Sequence, residues 1–556
     1  MTRRLALALT VLAAGCVPEE DPPGGPPAPP LAEARQAVEP LDTPSEENAI
    51  RFLEQATFGP RLALGASPAP IDSVEHVVDV GISVALTEQF NAPRSLLDGT
   101  STSTDLGSQF FVNAVTGQDQ LRQRVTFALS QVLVASQTGI PEVMATPESE
   151  PKLAMAGYLN LLSARSFGTF RQLLDAVTKD PAMGTFLDMA NNKAFKTNGQ
   201  PIEPNENYAR EMLQLFSLGL HKLNEDGTVV VDNVTGAPVP AYTEAQVQAF
   251  AHALSGWTYG GAACPTVGKS NPASYAQPMI GCDVNHDSTS KVLLRGFATT
   301  DGGTATKHLK EALDNVVDDP NVPPFISKQL IQHLVTSNPS TAYVQRVVNV
   351  FKNNGSGVRG DLRAVVRAIL EDDEARGPQP PLAQYATFGH LRPPALFITT
   401  AVRWLNGQLD TTAGKDPGAK LNSWSRSLGQ YVPRPPSVFS YYPPHAPAPG
   451  GNGLLGPEFA ILDTATVTAR ANFVHELLYA TSTATAGVLI DLSAVPTDPN
   501  DQVLWLGRYL LHDTMSSDLQ LAVYNAVTDP RAGDLTRRKK LALFLTSLSP
   551  EFQIQR

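Results

Sequence analysis

Apolar side chains recur along this chain at the three- and four-residue spacing that is typical of amphipathic helices. Leu121, Val125 and Val132 belong to one long stripe of this kind. Thr243 and Gln246 form a capping box, the signature of a helix start, directly before another apolar stripe. Comparable patterns predict helices in six further segments: 322–335, 340–353, 360–371, 384–405, 459–480 and 536–548. The sequence therefore predicts a mainly α-helical fold.

The beginning of the folded part has its own helix-start signal. Residues Thr43 to Glu46 read TPSE, a capping box with proline at the first helical position. This pattern predicts that Thr43 caps a helix whose apolar face includes Ile50 and Leu53.

The segments between the predicted helices are long and irregular. Residues 227–242 contain two short β-prone runs around a turn, which predicts a small surface β-hairpin. The stretches 262–305 and 407–456 are rich in Gly, Pro, Ser and Asn, and loops this long are uncommon unless they are functional or disordered. Since no repeat of fixed period is present, we predict one large helical domain over residues 43–550.

Composition and charge exclude one class of partner. The chain has 556 residues, of which 42% are hydrophobic and 17% charged, and this composition supports a sizeable core. Its formal net charge is -12, and no block of Lys or Arg offsets that charge locally. Because a surface of this sign repels phosphate backbones, we predict that the protein does not bind nucleic acid.

The N-terminus has the features of an export signal. A positive start, MTRR, precedes the apolar run Leu5–Gly15, which is too short to span a bilayer as a mature helix, and Cys16 follows. LAAGC resembles the lipobox of bacterial lipoproteins, in which the cysteine is acylated, although Ala13 stands where that box usually has Leu. Cleavage by an ordinary signal peptidase beside a chance cysteine is the alternative.

The residues that follow Cys16 support the lipoprotein interpretation. Residues 17–42 include PEEDPPGGPPAPP, which cannot pack and would act as an extended tether between a lipid anchor and a folded body. We therefore expect residues 1–16 to be a signal peptide and Cys16 to anchor the protein in a lipid bilayer of the cell envelope. Val17 stands where an Asp would favour the inner membrane, so the outer membrane is the favoured location.

Two cysteines remain, Cys264 and Cys282. In an oxidising compartment, a pair of cysteines in one loop is most simply a disulfide. A zinc site is a weaker interpretation, because structural zinc takes three or four protein ligands.

Common catalytic and nucleotide-binding motifs are incomplete in this chain. GNGLLG at 451–456 fits a dinucleotide-binding pattern, but it follows a Pro-rich loop rather than a strand. HELLY at 475–479 has Tyr479 where the helix of a zinc protease needs its second histidine, and no G-x-S-x-G motif occurs. The sequence therefore argues against the commonest hydrolase and nucleotide-binding classes.

The stretch NENYAREMLQLFSLG, residues 205–219, concentrates polar side chains at the start of a predicted helix. On a helical wheel Glu206, Arg210 and Glu211 fall on one face with Asn207, and the apolar residues fall on the other. Asn205 is a suitable N-cap. Glu206 and Arg210 have the spacing of an exposed ion pair. An ordinary amphipathic helix explains all of these features, and a functional site is the alternative.

Motifs along nearly the whole chain resemble one bacterial family, the domain of unknown function 1800. The string PNENYAREMLQLFSLG resembles the signature of that family. Seven more stretches support the resemblance: AIRFLEQATFGP (49–60), DQLRQRVTFALSQVLV (119–134), DPAMGTFLDMANN (180–192), NHDSTSK (285–291), VPPFISKQLIQHLVTSNPS (322–340), GHLRPPALF (389–397) and PPSVFSYYPP (435–444). The family has no assigned activity.

The resemblance implies that the protein is exported and that it has a protein partner. Proteins of this family are typically exported, and their genes commonly neighbour those of a second exported family, the domain of unknown function 1501. The resemblance therefore suggests a protein of that second family as a partner. The chain departs from the pattern within residues 242–257, where Arg would be usual in place of His252 and Asp in place of Gln246.

The resemblance also places two polar clusters in one domain. The first contains Asp188, Asn191, Glu206, Asn207, Arg210 and Glu211, and the second contains His286 and Asp287. Glu206, Glu211, His286 and Asp287 would make a reasonable site for a divalent metal ion. Alternatively, Glu206 and Glu211 would act as an acid–base pair on a glycan, with Arg210 holding one carboxylate ionised. The third interpretation is that His286 and Asp287 form an ordinary loop contact.

The loop at residues 431–446, YVPRPPSVFSYYPPHA, suggests a different function. Exposed aromatic rings are suited to stacking on sugars or to gripping a protein partner. The alternative is that these rings pin a long loop onto the helical body.

Two functional hypotheses follow. The first is an envelope enzyme, a metal-assisted hydrolase or modifier of extracellular polymers. The second is a non-catalytic assembly or binding protein that docks an exported partner through an apolar patch at the 431–446 loop.

Overall fold

The computed structural model describes residues 40–141, 150–377, 387–412, 414–480 and 487–556. The predicted signal peptide 1–16 with Cys16, and nearly all of the predicted tether 17–42, lie outside these residues.

Helices make up about half of the chain, which confirms the predicted mainly α-helical class. The described residues contain α1 (Glu46–Ala56), α2 (Val74–Val80), α3 (Ile82–Asn91), α4 (Leu106–Thr116), α5 (Gln120–Val132), α6 (Pro151–Arg165), α7 (Phe170–Thr178), α8 (Pro181–Phe186), α9 (Asn207–Gln214), α10 (Glu244–Ala253), α11 (Ala305–Val317), α12 (Val322–Leu334), α13 (Thr341–Lys352), α14 (Leu362–Leu370), α15 (Asp373–Arg376), α16 (Pro394–Trp404), α17 (Ala419–Ser427), α18 (Thr464–Tyr479), α19 (Pro499–Leu511), α20 (Ser517–Thr528), α21 (Leu535–Leu548) and α22 (Pro550–Gln553).

Strands in the described residues are short and form antiparallel pairs. The pairs are β1 (Trp257–Thr258) with β2 (Ile280–Gly281), β3 (His390–Leu391) with β6 (Ile554–Gln555), and β4 (Gln408–Leu409) with β5 (Val488–Leu489). The hairpin predicted at 227–242 is present as isolated bridges, such as the one between Val231 and Pro238, rather than as continuous strands.

Helix starts follow local side-chain chemistry. The capping box of Thr243 and Gln246 is confirmed, because each side chain bonds the other residue's backbone N–H. The predicted cap at Thr43 is wrong: Ser45 caps α1 and accepts a hydrogen bond from the backbone N–H of Asn48. Ser, like Thr, satisfies a free N–H at a helix start, so the pattern identified the helix but not its first residue.

Two clusters of buried apolar side chains form the core. The first draws mainly on the helices before residue 370, and the second on α16 and the helices that follow it. Trp505 and Tyr509 of α19 pack against both clusters. Buried ion pairs also connect distant segments: Arg392 donates two hydrogen bonds of 2.9 Å to Glu54.

The predicted disulfide is confirmed, since Cys264 and Cys282 are bonded with an S–S distance of 2.07 Å. It closes part of the long irregular segment before α11. Among the described helices, none combines the length and the apolar character needed to cross a membrane.

Candidate functional site

The helix α9 carries the polar residues that the sequence singled out. Glu206, not Asn205, occupies the N-cap position, although the Asn205 side chain accepts a 2.8 Å hydrogen bond from the backbone N–H of Asn207. A pair of 2.7 Å bonds between Asn192 and the Asn205 backbone fixes the approach to the helix. Asn207 in turn donates to Asp188 at 3.2 Å. The start of α9 is therefore anchored by amide side chains.

Arg210 is enclosed by two carboxylates. Its guanidinium lies 2.5 Å from Glu206 and 2.7 Å from Glu244, the first residue of α10. Hydrogen bonds from Arg210 to Glu244 and Glu206 raise the pKa of Arg210. Arg210 and Glu206 are thus brought together as predicted, but their charges neutralise each other at a partly exposed position.

Glu211 is the exception on this helix. The sequence placed it on the polar face, but its side chain is buried, and its Oε2 has no hydrogen-bond partner among the described residues. Burial raises the pKa of Glu211, although nearby Arg210 opposes the shift. A buried carboxyl of this kind is an acid–base candidate.

His286 lies in a closed chain of hydrogen bonds. Its Nε2 is 2.8 Å from Nδ1 of His308, and Nε2 of His308 is 2.6 Å from the carbonyl oxygen of Thr300. Because a carbonyl only accepts, His308 donates to Thr300. Nδ1 of His286 lies 2.9 Å from the carbonyl oxygen of Ser255, which likewise only accepts, and 3.2 Å from the Ser255 hydroxyl, which itself donates to the carbonyl oxygen of His252. Both imidazoles are buried, and burial lowers the pKa of His286 to about 4.

Asp287 faces the other way, toward the surface. Its Oδ2 is 2.8 Å from Nδ1 of His252, while Nε2 of His252 is 3.0 Å from Glu203. Burial alone would raise the pKa of Asp287, but hydrogen bonds from Thr289, together with the charge of Lys291, lower it overall. The chain thus forms a carboxylate–imidazole–carboxylate row through His252, one of the two positions at which it departs from the family pattern.

Three of the four predicted metal ligands are engaged by protein partners, and Glu211 is the exception. Glu206 is paired with Arg210, Asp287 with His252 and Lys291, and both ring nitrogens of His286 are used. Among the described residues, no three His, Cys, Asp or Glu side chains are grouped so that they could hold a metal ion. The structure therefore does not bring the four residues together as a metal centre.

A groove lies at the opposite end of α9. It has a volume of about 680 Å³, within the range of ligand-binding pockets. Its walls come from the end of α5, the end of α9 with the residues that follow it, the strand-like run at 220–229, helix α12, the loop at residues 431–446, which we call the aromatic loop, and Leu455. Most of the side chains that line it are apolar: Leu215, Leu218, Leu220, Leu223, Val229, Phe325, Val438 and Phe439.

Seven polar side chains also line this groove. They include the amides of Gln214 and Gln329 and the ammonium group of Lys328. Burial lowers the pKa of Lys328, against the influence of Asp226. Lys328 forms no salt bridge within the described ranges, and its Nζ lies 3.4 Å from the carbonyl oxygen of Gly227.

A small polar chamber adjoins the groove. We call the polar chamber the cavity of about 20 Å³ lined by Gln131, Gln329, Gln332, His333, Ser440, Tyr442, Pro444, Pro457 and Glu458. Gln131, Gln329, Gln332 and Pro444 line both spaces. Such a volume is about that of a single water molecule or hydroxyl group.

Several polar atoms around the chamber are left without partners. Ser440 and Glu458 are each only 4% exposed, yet Ser440 Oγ and Glu458 Oε2 have no hydrogen-bond partner in the described part of the chain. The same holds for Gln329 Nε2. Glu458 Oε1 is 3.2 Å from Nδ1 of buried His390. Buried polar atoms in proteins are nearly always paired, either with protein groups or with an ordered water, and a cavity of this size is large enough for one water.

Some rings of the aromatic loop pin it onto the helical body and another is exposed, so both interpretations that the sequence left open apply to this loop. Tyr442 is buried, and its hydroxyl donates a 3.1 Å hydrogen bond to Gln131, which pins the loop onto α5. Arg434 lies 4.4 Å from the centre of the Tyr431 ring and also bonds Asp105. Phe439, by contrast, is 38% exposed and lines the groove. The pinned rings therefore hold the exposed one in place.

Sequence reasoning missed Glu458, Ser440, Gln329 and His390 as candidate site residues. Ser440, His390 and Gln329 lie inside three of the family-like stretches, PPSVFSYYPP, GHLRPPALF and VPPFISKQLIQHLVTSNPS, which gave the only signal. Glu458 follows GNGLLG and carries no motif of its own. Nothing in the local spacing of these residues predicts that they meet.

Comparison with known proteins identifies a family. The model of the family described as "Protein of unknown function (DUF1800)" matches residues 51–554. The chain belongs to this family, which confirms the resemblance seen in the sequence. No curated protein and no solved structure matches the chain.

Proposed function

From the premise that this chain is a DUF1800 protein, we propose that it is a cell-envelope binding protein that docks an exported partner. The observation that carries the proposal is the groove of about 680 Å³ beside the aromatic loop. Its exposed Phe439 and Leu220 offer the apolar contact area on which protein interfaces concentrate their binding energy.

The polar lining of the groove favours a polypeptide segment as its occupant. Side-chain amides such as those of Gln214 and Gln329 both donate and accept hydrogen bonds, as the peptide backbone does. A hydrocarbon ligand would bury these amides and the Lys328 ammonium without partners, at a cost in free energy. An extended segment with apolar side chains satisfies both kinds of surface.

A peptide selection tests this proposal directly. Random twelve-residue peptides displayed on phage are selected on the purified chain, and we expect the enriched peptides to be rich in apolar residues. Leu220→Glu, which places a charge at the groove, should weaken their binding at least about tenfold.

The matched control is Leu521→Glu. Leu521 is 59% exposed on α20 and does not line the groove, whereas Leu220 is 55% exposed and does. Equal loss of binding in both variants, or selection of peptides without apolar character, would contradict the proposal.

Anchoring at Cys16 places this binding activity in the envelope. The apolar run before Cys16 and the Pro-rich tether after it support an acylated, membrane-bound N-terminus. We expect metabolic labelling with a fatty-acid analogue to mark the wild-type protein and not Cys16→Ser. Labelling that persists in Cys16→Ser would contradict this anchor. A partner from the domain of unknown function 1501 fits the same compartment.

Glu211 supports a second candidate, an enzyme that modifies extracellular polymers. Its buried, unpartnered carboxyl with a raised pKa has the character of a general acid. Elemental analysis of protein purified without chelator, repeated on Glu211→Gln, tests the metal-assisted form. A stoichiometric metal that is lost in the variant would support this candidate over the binding protein.

A further inference from the structure

Arginines from three distant segments meet at the C-terminal end of α3, although the sequence contains no block of Lys or Arg. We call the arginine patch Arg94, Arg122, Arg363 and Arg367. We propose that this patch binds the anionic headgroups of phospholipids in the membrane that carries the Cys16 anchor. The inference rests on the proposed function only for that anchor, and vesicles without any partner protein test it.

Two aromatic rings hold the arginines together. The rings of Phe90 and Phe167 meet edge to face, with centroids 4.7 Å apart. The guanidinium of Arg122 lies 4.4 Å from the centre of the Phe167 ring. The guanidinium groups of Arg363 and Arg367 lie 4.8 Å and 5.5 Å from the centre of the Phe90 ring. Cation–π contacts of this length attract a guanidinium to a ring without neutralising its charge.

The exposed members of the patch have no anionic partner. Arg94 and Arg363 are exposed and form no salt bridge within the described ranges. The nearest partner of Arg363 is neutral: the side-chain oxygen of Asn91, at 3.4 Å. Burial lowers the pKa of Arg122, Asp119 opposes this shift, and the charges of Arg94 and Arg363 lower the pKa further. Like charges therefore lie close together at this surface.

Two carboxylates beside the patch offset part of its charge. Asp119 is buried, and its Oδ2 accepts hydrogen bonds from the backbone N–H of Ser95 and from Gln123. Glu371 lies 2.6 Å from Arg367 and forms a salt bridge with it. The four guanidinium groups outnumber these two carboxylates. The patch is thus locally positive on a chain whose formal net charge is -12.

Exposed apolar side chains border the arginines. Leu96, two residues after Arg94, is 53% exposed. Val84 is 48% exposed and shares a face of α3 with Asn91, the residue that accepts from Arg363. Apolar side chains beside cations suit a membrane interface, where the apolar groups enter the headgroup boundary and guanidinium groups pair with phosphate.

The position of the tether favours a membrane as the partner. At the start of α3, the backbone N–H of Ile82 donates a 2.7 Å hydrogen bond to the carbonyl oxygen of Leu41, where the predicted tether ends. Helix α3 has 10 residues, so its C-terminal end lies about 15 Å from that point. The arginine patch therefore lies on the part of the fold that the tether joins.

The negative net charge of the whole chain does not oppose this contact. Salt screens exposed charges over about 8 Å at physiological ionic strength, so only the contacting face acts on a headgroup. A single acyl chain gives marginal membrane binding, and a basic surface is a common second signal. The arginine patch supplies such a signal and orients the folded body with the end of α3 toward the bilayer.

Binding to phospholipid vesicles tests the patch. Every protein compared is the full chain with Cys16→Ser, so no acyl chain contributes and the N-terminus is the same throughout. We expect vesicles of phosphatidylcholine and phosphatidylglycerol in equal parts to bind the chain at least about tenfold more tightly than phosphatidylcholine alone. Sedimentation of the vesicles measures both partition coefficients. The preference should disappear in 1 M salt, which screens exposed charges.

Replacing the two exposed arginines should remove most of this preference. Arg94→Gln combined with Arg363→Gln should lower the partition coefficient onto the mixed vesicles by about twentyfold, since each cation near an anionic bilayer contributes about fivefold. Arg94→Lys combined with Arg363→Lys keeps both charges and should retain most of the binding. Urea unfolding of each variant establishes that it is folded during the measurement.

The matched control removes two cations elsewhere. Arg426 and Lys540 lie over tyrosine rings, at 5.0 Å and 5.5 Å from the ring centres, on helices of the second core cluster. Arg426→Gln combined with Lys540→Gln makes the same change in net charge. We expect this control to change the partition coefficient by less than about threefold, because its cations do not face the membrane.

Three results would overturn the inference. They are equal binding to both kinds of vesicle, equal loss in the Gln double variant and its control, and tighter binding to soluble polyglutamate than to the mixed vesicles at equal charge. The last result would assign the patch to an acidic protein.

The peptide selection separates this inference from the proposed function. Failure of that selection with an intact vesicle preference would contradict the docking function and leave the arginine patch supported. Selected peptides that bind a chain without vesicle preference would contradict the arginine patch alone.

Discussion

The two ends of α9 differ in what happens to their polar atoms. At the N-terminal end, Glu206, Arg210 and Glu244 satisfy one another, and His286 and His308 form a closed chain with backbone carbonyls. Near the C-terminal end, apolar walls lead to a chamber in which buried polar atoms have no protein partner in the described chain. The first region uses its hydrogen-bonding capacity internally, whereas the second contains buried polar atoms that have no partner among the described residues.

This difference teaches that a dense cluster of polar residues is a poor guide to a binding site. Charged groups that meet on a surface mostly neutralise each other at little gain in stability. Buried groups without partners cost free energy in the unliganded protein, and a ligand that satisfies them recovers that cost. The measurements that follow test this distinction between the two regions.

The largest expected effect belongs to the paired histidines. His308→Ala removes a buried ring and leaves His286 Nε2 without its partner. We expect the free energy of unfolding to fall by about 3 kcal/mol. Urea unfolding measures this change. A variant as stable as wild type would show that the histidine pair does not stabilise the fold. The contrast between the two ends of α9 would then be lost.

Glu211→Gln tests the exception in the first region. Since the pKa of Glu211 is raised in the folded state, its contribution to stability is fully present below the ordinary value near 4.5 and is lost as the pH rises through the folded value. Removing the ionisable group should therefore stabilise the protein by about 1 kcal/mol at pH 7, and have little effect at pH 4.

Unfolding of wild type and Glu211→Gln at a series of pH values measures this difference. Glu206→Gln is the control, because Glu206 is partly exposed and paired with Arg210. A pH dependence that is identical in wild type and Glu211→Gln would show that Glu211 is not buried in solution.

A smaller effect is expected for Arg210→Ala. Its ion pairs with Glu206 and Glu244 are partly exposed, so their loss should lower the free energy of unfolding by about 0.5 kcal/mol. The loss should shrink further in 1 M salt, which screens exposed charges. A change of several kcal/mol would mean that Arg210 has a buried role, against the interpretation of this end as a neutralised surface.

The smallest effect on stability is expected for Ser440→Ala. Because Ser440 Oγ has no partner among the described residues, its removal should change the free energy of unfolding by no more than about 0.5 kcal/mol. A clear loss of stability would show that the hydroxyl already serves the fold.

The sequence predicted much of the fold because its signals are local. Helical spacing identified α12, α13 and α21 to within two residues, and the capping box placed the start of α10. The oxidising compartment expected for an exported protein predicted the disulfide between Cys264 and Cys282. Each of these features depends on residues close in sequence, or on a pairing with no competitor.

The candidate site was predicted only in part. Glu206 and Arg210 do pair, as an i, i+4 spacing on a helix requires. Asp287 meets His252, which the sequence singled out only as a departure from the family pattern. A helical wheel could not show that Glu211 is buried, because burial depends on what packs against the helix.

The sequence by itself determined most of the helices, the capping box of α10, the disulfide and the family of this protein, because periodicity, capping and motifs are properties of neighbouring residues. Only the tertiary structure decided which polar atoms find partners and where a groove opens. Segments 131–132, 214–229, 325–333 and 438–458 must approach one another to build the groove and its chamber. Hydrogen-bond satisfaction and burial are set by that approach through space, and no local pattern records it.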